Sequence, residues 1–273
     1  MNKDGSGFRP VDTDALGVRR MPGEVDTTRA HPARVYDYVL GGKDNWPADR
    51  EVAERAMAAL PSARDEVLAN RAFLRRAVRY AARQGVTQFL DIGTGIPTVG
   101  PTHEIAHSVE PGARVVYVDN DPIVLAHARA LLVDDDLTYV IQADVREPET
   151  ILNHPETRGR LDFTRPIALM FVGLLYFVAD EYIDGLVERY TRELAPGSLM
   201  LLSHALDTPE IRKVEEVYKA TAPLVPRTRE QIAGLFTGWD LVDPGLVPIH
   251  RWRPDDDGSP AAGHLLAGVA TRS

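Results

Sequence analysis

Apolar residues recur along this chain with two periods, and the change falls near residue 86. Before it they return every three or four positions, the spacing of one helix face. Ala33 to Leu40 predicts a short helix halted by Gly41 and Gly42, since glycine takes the left-handed turn that ends a helix. Pro47 can open a second helix, where its missing N–H costs nothing, and that helix should end near Leu60. A third runs from Ser62 to Gly85, with Asp65 and Glu66 in its first turn. Residues 1–28 are polar and show neither period, which predicts a flexible arm.

From Val86 short apolar runs take over, separated by helical stretches. "VTQFLDIG", "ARVVYVDND", "TYVIQAD", "PIALMFVG" and "GSLMLLSH" read as five strands. The fourth is apolar almost throughout, as a strand covered on both faces must be. Helices are expected at Thr102 to Val109, Pro122 to Leu132, Asp180 to Leu194, Pro209 to Thr221 and Arg229 to Phe236. Asp121 is placed to cap the second of these. "WDLVDPGLVPI" and "HLLAGVAT" close the chain as strand-like segments. Such alternation specifies an α/β fold, a doubly wound and mostly parallel sheet with helices on both faces. The expected organisation is an arm (1–28), a helical cover (29–85) and a sheet domain (86–273).

Composition narrows the function. The chain has 273 residues, 44% of them hydrophobic, and a formal net charge of -9. That sign opposes a nonspecific nucleic-acid binder, which needs a basic face. There are no cysteines, so disulfides, thiolate metal sites and a cysteine nucleophile are excluded. No apolar run approaches the roughly 20 residues of a membrane span, and the N-terminus lacks a signal peptide's apolar core. The expectation is a soluble cytoplasmic protein.

The candidate chemistry lies at the strand ends, where α/β sheets bind ligands. After the first strand come Asp91, Gly93, Thr94 and Gly95, whose glycines let the backbone approach a ligand. A dinucleotide fingerprint would need a third glycine where Thr98 stands, and Asp91 would repel a diphosphate. An acid there suits a positive group instead, such as an amino-acid ammonium. Asp119 ends the second strand, followed by Asn120, and an acid at that place accepts bonds from a ribose diol. Asp144 ends the third, where its carboxylate or the neighbouring N–H of Val145 could read an adenine edge. A ligand with an ammonium, a ribose diol and an adenine, and without phosphate, is implied. S-adenosylmethionine fits, with S-adenosylhomocysteine as its product.

"FLDIGTGIPT", "VVYVDNDP" and "IQADVREPE" resemble the first three motifs of class I methyltransferases. "ARVYDYVLGGKDNWPADR", "NRAFLRRAVRYAARQGVTQFLDIGTGIPT" and "DPGLVPIHRWRP" are similar to the bacterial S-adenosyl methyltransferase family, long catalogued as a domain of unknown function. The resemblance covers about Ala33 to the C-terminus. It implies a Rossmann-like sheet of seven strands, the last antiparallel, beneath an N-terminal helical cover. Tyr176 stands where that family usually has histidine.

Several other residues invite a chemical reading. In "YDYVLGGKDNW", Tyr38, Gly42, Lys43 and Asn45 could hold the methionine moiety: Lys43 its carboxylate, and Tyr36 or Tyr38 its sulfonium by cation–π attraction. The alternative is a helix cap with solvated charges. Arg71, Arg75, Arg79 and Arg83 form one helix stripe, either solvated or facing an acidic substrate. His103 and His107 share a spacing, but few third ligands lie near them, so no metal is expected. Asp134 to Asp136 and Asp255 to Asp257 read as exposed turns. For proton transfer, His204 and Tyr176 follow the fifth and fourth strands. The expected function is methyl transfer to a small-molecule acceptor, with no nucleic-acid or membrane partner. The alternative is a noncatalytic module that binds the cofactor or its product and regulates a partner. A nicotinamide oxidoreductase is opposed by Asp91 and Thr98.

Overall fold

The structure is a computed structural model that describes residues 26–97, 100–131, 136–255 and 260–273. Most of the expected arm, Thr98, and parts of both aspartate clusters (134, 135, 256 and 257) lie outside the described residues. Three helices come first: α1 (Pro32–Leu40), α2 (Pro47–Ala59) and α3 (Ala63–Arg83). Gly41 adopts φ 87° and ends α1, the left-handed turn that its sequence predicts. The His31 side chain accepts from the Ala33 N–H at the other end of that helix.

The sheet strands are β1 (Gln88–Ile92), β2 (Arg114–Asp119), β3 (Thr138–Gln142), β4 (Ala168–Val172), β5 (Leu199–Ala205), β6 (Asp240–Leu241), β7 (Val247–Pro248) and β8 (Leu265–Thr271). Their order is β3-β2-β1-β4-β5-β8-β6, with β7 also pairing β8. The pairs from β3 across to β5 are parallel, and β8 runs antiparallel to β5 from Leu199↔Thr271 to Ala205↔Leu265. The sheet is thus mostly parallel, as expected, but has eight strands among the described residues rather than seven. The segment after Trp239 supplies two short strands because a turn, closed by the Gly245 N–H to Val242 O bond of 2.8 Å, interrupts it. The chain leaves β1 for β2 on one side and later places β4 on the other, which opens a crevice at the strand ends.

The connecting helices are α4 (Thr102–His107), α5 (Pro122–Leu131), α6 (Pro148–Leu152), α7 (Pro155–Arg160), α8 (Asp180–Ile183), α9 (Leu186–Thr191), α10 (Pro209–Tyr218) and α11 (Arg229–Gly234). The single helix expected over 180–194 is two, because Gly185 takes φ 68° between them. The short α6 and α7 were not legible from period; each begins on a proline.

Successive residues of each strand feed opposite faces. Phe89 packs in one apolar cluster and Leu90 in the other. The first cluster takes Val35, Val52, Phe73 and Ala77 from α1–α3 together with Val115 and Met170 from the sheet, so those helices sit directly on it. Trp252 meets Phe73 edge-to-face at 5.4 Å and closes the end of this layer.

Candidate active site

A cavity of about 340 Å³ lies at the carboxyl ends of β1 to β4. All eight strand-end residues expected from sequence line it: Asp91, Gly93, Thr94, Gly95, Asp119, Asn120, Asp144 and Val145. Sheet topology brings them together. In parallel strands each chain exits at the same edge, so the residue after each strand faces the same crevice.

The acids are in different states. Asp119 is buried, and each of its oxygens holds one amide: Oδ2 accepts from Gly95 N at 2.9 Å and Oδ1 from Asp121 N at 2.9 Å. These bonds fix the carboxylate's orientation and leave further lone pairs on both oxygens, a pattern suited to a diol. Burial raises its pKa against the lowering effect of the two amides. Asp91 is raised to about 6, chiefly by burial; the Thr102 hydroxyl (2.7 Å to Oδ2) and Arg71 oppose this, and Asp119 adds to it. A cation beside Asp91 would lower its pKa again. Asp144 is held below the usual carboxylate range by Arg146, which bonds it through its backbone N–H and its side chain.

The glycine loop fits closely. Gly93 has φ 72°, and a Cβ there would lie 2.4 Å from Leu174 Cδ1, so only glycine lets the two loops meet. At Gly95, φ 64°, a Cβ would meet nothing within 4 Å, so this backbone faces open space. The set of carboxylate acceptors at the strand ends fits an adenosine-like ligand carrying an ammonium.

The residues expected from the N-terminal signature lie elsewhere. Tyr38, Gly42, Lys43 and Asn45 do not line the cavity. Asn45 is buried and donates to Asp37 Oδ2 (2.9 Å) and Gly42 O (3.1 Å), while its own oxygen accepts from Arg50 Nε at 2.7 Å. A Cβ on Gly42 would come within 2.0 Å of Asp37 Oδ1. Tyr38 bonds Glu54 at 3.1 Å, and Lys43 is exposed. This segment ties α1 to α2, which answers why it is so dense in polar groups.

His204 and Tyr176 do not line the cavity either. His204 is fully buried; its Nδ1–H donates to Ala205 O at 2.8 Å, and its Nε2 accepts from Arg227 Nη1 at 3.0 Å. Burial pushes its pKa down to about 4, with Arg227 adding to the effect. Both ring nitrogens are engaged, so this geometry does not support the expected proton-transfer role. Tyr176 is buried against His204, ring centroids 5.7 Å apart, and burial raises its hydroxyl pKa far above the ordinary value.

Sequence reasoning missed part of the wall. Asn70 and Arg71 of α3 line the cavity, as do His31 and Leu174; Tyr36, offered from sequence as an alternative to Tyr38, lines it too. Tyr36 OH accepts from Asn70 Nδ2 at 3.0 Å and donates to Val67 O at 3.2 Å, and Ser203 Oγ donates to Asn70 Oδ1 at 2.6 Å. The arginine stripe carried a signal for Arg71, but its period does not show which member meets the crevice. Arg71 Nη2 donates to Gly100 O at 3.0 Å, whereas Arg79 pairs with Asp255. His103 and His107 are used structurally, on Tyr117 OH (2.9 Å) and Ala113 O (2.8 Å). Among the described residues no group of three metal-binding side chains occurs, and no helix is long and apolar enough to cross a membrane.

The family model described as S-adenosyl methyltransferase matches residues 19–273. A protein from Thermobifida fusca YX, provisionally described as a methyltransferase, is similar in structure with a TM-score of 0.87 and 43% identity, over 91% of this chain and 97% of that one. A DUF574 family protein from Streptomyces avermitilis ma-4680 gives 0.86 and 41%, over 92% and 100%. A mitomycin 7-O-methyltransferase shares the fold alone, with a TM-score of 0.50 at 17% identity over 96% and 76%. No curated protein matches this chain.

Proposed function

This chain belongs to the S-adenosyl methyltransferase family, and from that premise we propose that it transfers a methyl group from S-adenosylmethionine to a small-molecule acceptor, with the cofactor held in the strand-end cavity. One observation carries the reading: Asp91 and Asp119, buried at the ends of neighbouring strands, line one cavity, Asp119 oriented by two amides and Asp91 by the Thr102 hydroxyl. Asp119, oriented by two amides, accepts from the ribose diol. Asp91, buried and raised in pKa, faces the ammonium of the methionine moiety. Val145 and Asp144 flank the adenine edge. Arg71 rather than Lys43 supplies positive charge for the carboxylate, because it lines the cavity and Lys43 does not. By the same criterion Tyr36 rather than Tyr38 packs on the sulfonium, a reading supported by its place in the cavity wall.

The bound cofactor supplies an electrophilic methyl that needs little covalent help. The protein's own contribution is alignment and exclusion of water. Leu74, Val172, Leu174, Phe177 and Pro223 give the cavity an apolar wall that favours a small, apolar acceptor. The formal charge of -9 disfavours a nucleic-acid acceptor. His204 favours a second reading, a noncatalytic binding module, since the base expected from sequence is engaged in structure. Cofactor labelled at the methyl, incubated with the protein and small-molecule extract, decides between them. A labelled product that needs the protein supports transfer; saturable cofactor binding without any such product supports the module.

A further inference from the structure

The buried pair His204 and Arg227 is not used by the function proposed above. Arg227 lies between α10 and α11 in the chain and is 3% exposed. Its backbone is tied to the end of β5, with Arg227 N donating to Ala205 O at 3.1 Å and Arg227 O accepting from Asp207 N at 2.9 Å. Its guanidinium then reaches across to a different segment. Nη1 donates to Leu175 O at 3.1 Å, and Nη2 donates to Val178 O at 3.0 Å and to Asp180 Oδ1 at 2.9 Å. Leu175 to Val178 is the short 3-10 turn and its cap after β4. Leu174, Phe177 and Val178 of this segment line the cavity, and Leu174 is the side chain that Gly93 is shaped to admit.

We propose that Arg227, held in place by His204, is the positioning residue that sets the Leu174–Val178 wall against the glycine loop. The inference rests on the reading of this cavity as the cofactor site. The planar guanidinium suits the task, because its fixed fork of donors can hold two carbonyls and a carboxylate at once. His204 completes the fork as an acceptor: with Nδ1–H spent on Ala205 O, its Nε2 lone pair can take only a donor, and Arg227 Nη1 supplies one. A protonated imidazole would present N–H to N–H and push the guanidinium away. The sequence reading of His204 as a base is thereby replaced by a role in which it never changes protonation state. Without the clamp, Leu175 O and Val178 O each lose a buried donor, and the turn keeps its own bonds, Phe177 N to Leu174 O (2.8 Å) and Val178 N to Leu175 O (3.1 Å), and the outside tie from Val225 N to Tyr176 O (2.7 Å).

Hydrogen–deuterium exchange and calorimetry with S-adenosylhomocysteine test this on four full-length proteins: wild type, Arg227→Met, His204→Leu and His204→Gln. In folded Arg227→Met the amides of 175–178 should exchange about tenfold faster, and the ligand should bind about five- to tenfold more weakly, the scale of one lost buried hydrogen bond. Exchange in β1 and β2 should be unchanged. His204→Leu should move the same two readouts in the same direction, and His204→Gln, which keeps an acceptor for Arg227, should restore both. Unchanged exchange at 175–178, or an equal rise across the whole sheet, overturns the proposal. So does a His204→Gln protein that behaves like His204→Leu. If Arg227→Met does not fold, the two His204 variants decide alone. Absence of ligand binding by the wild type would defeat the cofactor reading, while the exchange pattern would still decide whether the clamp exists.

Discussion

Two parts of this chain are rich in Asp, Asn and Gly. One is the set of strand ends from Asp91 to Val145; the other is the turn from Gly41 to Asn45. The strand ends open on a cavity, and their carboxylates keep lone pairs for a ligand. The turn closes on itself: Asp37 takes Asp44 N and Asn45 Nδ2, Asn45 takes Arg50, and His127 meets Asp44 at 3.3 Å. The difference is topological. A polar residue at the end of a parallel strand is aimed at a crevice that neighbouring strands also face. A polar residue between two helices has the helix ends beside it, with backbone groups that need partners.

The contrast can be broken from either side. The largest effect is expected at Asp119, which we propose accepts from the ribose diol. Asp119→Ala should weaken S-adenosylhomocysteine binding by about 1.5–3 kcal/mol, the loss of hydrogen bonds to a charged group, read by calorimetry. Asn45→Ala should do the reverse: lower folding stability by about 1–2 kcal/mol in urea titration, for a buried network left unsatisfied, while ligand affinity of the folded protein stays within about twofold. A large affinity loss in Asn45→Ala with normal stability would restore the turn as a ligand site.

A smaller effect is expected from pH. Asp91 has a pKa of about 6 in the free protein. An ammonium beside it lowers that value, so binding requires the carboxylate and takes a proton off as pH falls. Affinity should be full above about pH 7 and lost through pH 6, dropping about fivefold between pH 6 and 5. Asp91→Asn should flatten the profile. A pH-independent wild type would remove Asp91 from the ammonium position. The smallest effect belongs to exposed Lys43: Lys43→Ala should change both stability and affinity by less than about 0.5 kcal/mol.

The comparison also shows what the chain disclosed before folding. The five long parallel strands and the first three helices were legible, because their periods and their glycine and proline boundaries agree. Gly185 was not read as a break, since one glycine within a helical pattern is often tolerated. The strands of two residues, β6 and β7, are too short to carry a period. At the site, the residues of one sheet edge were legible because they follow strands. Tyr36 was offered only as an alternative to Tyr38, and Asn70 and Arg71 were not assigned to the cavity, because all three arrive from helices laid over the sheet and helix period does not say which crevice a face meets. His204 misled for a related reason: a strand end locates a residue at the rim, but not whether its ring turns toward the ligand or toward Arg227.

The central claim, an adenosine cofactor with an ammonium and without phosphate in the strand-end cavity, is tested most directly by titrating the full-length protein with S-adenosylhomocysteine and, separately, with NAD in a calorimeter at pH 7.5. The account predicts one saturable site for S-adenosylhomocysteine, weakened in Asp119→Ala, and far weaker or undetectable binding of NAD. Tighter binding of NAD, or no binding of S-adenosylhomocysteine, would contradict it.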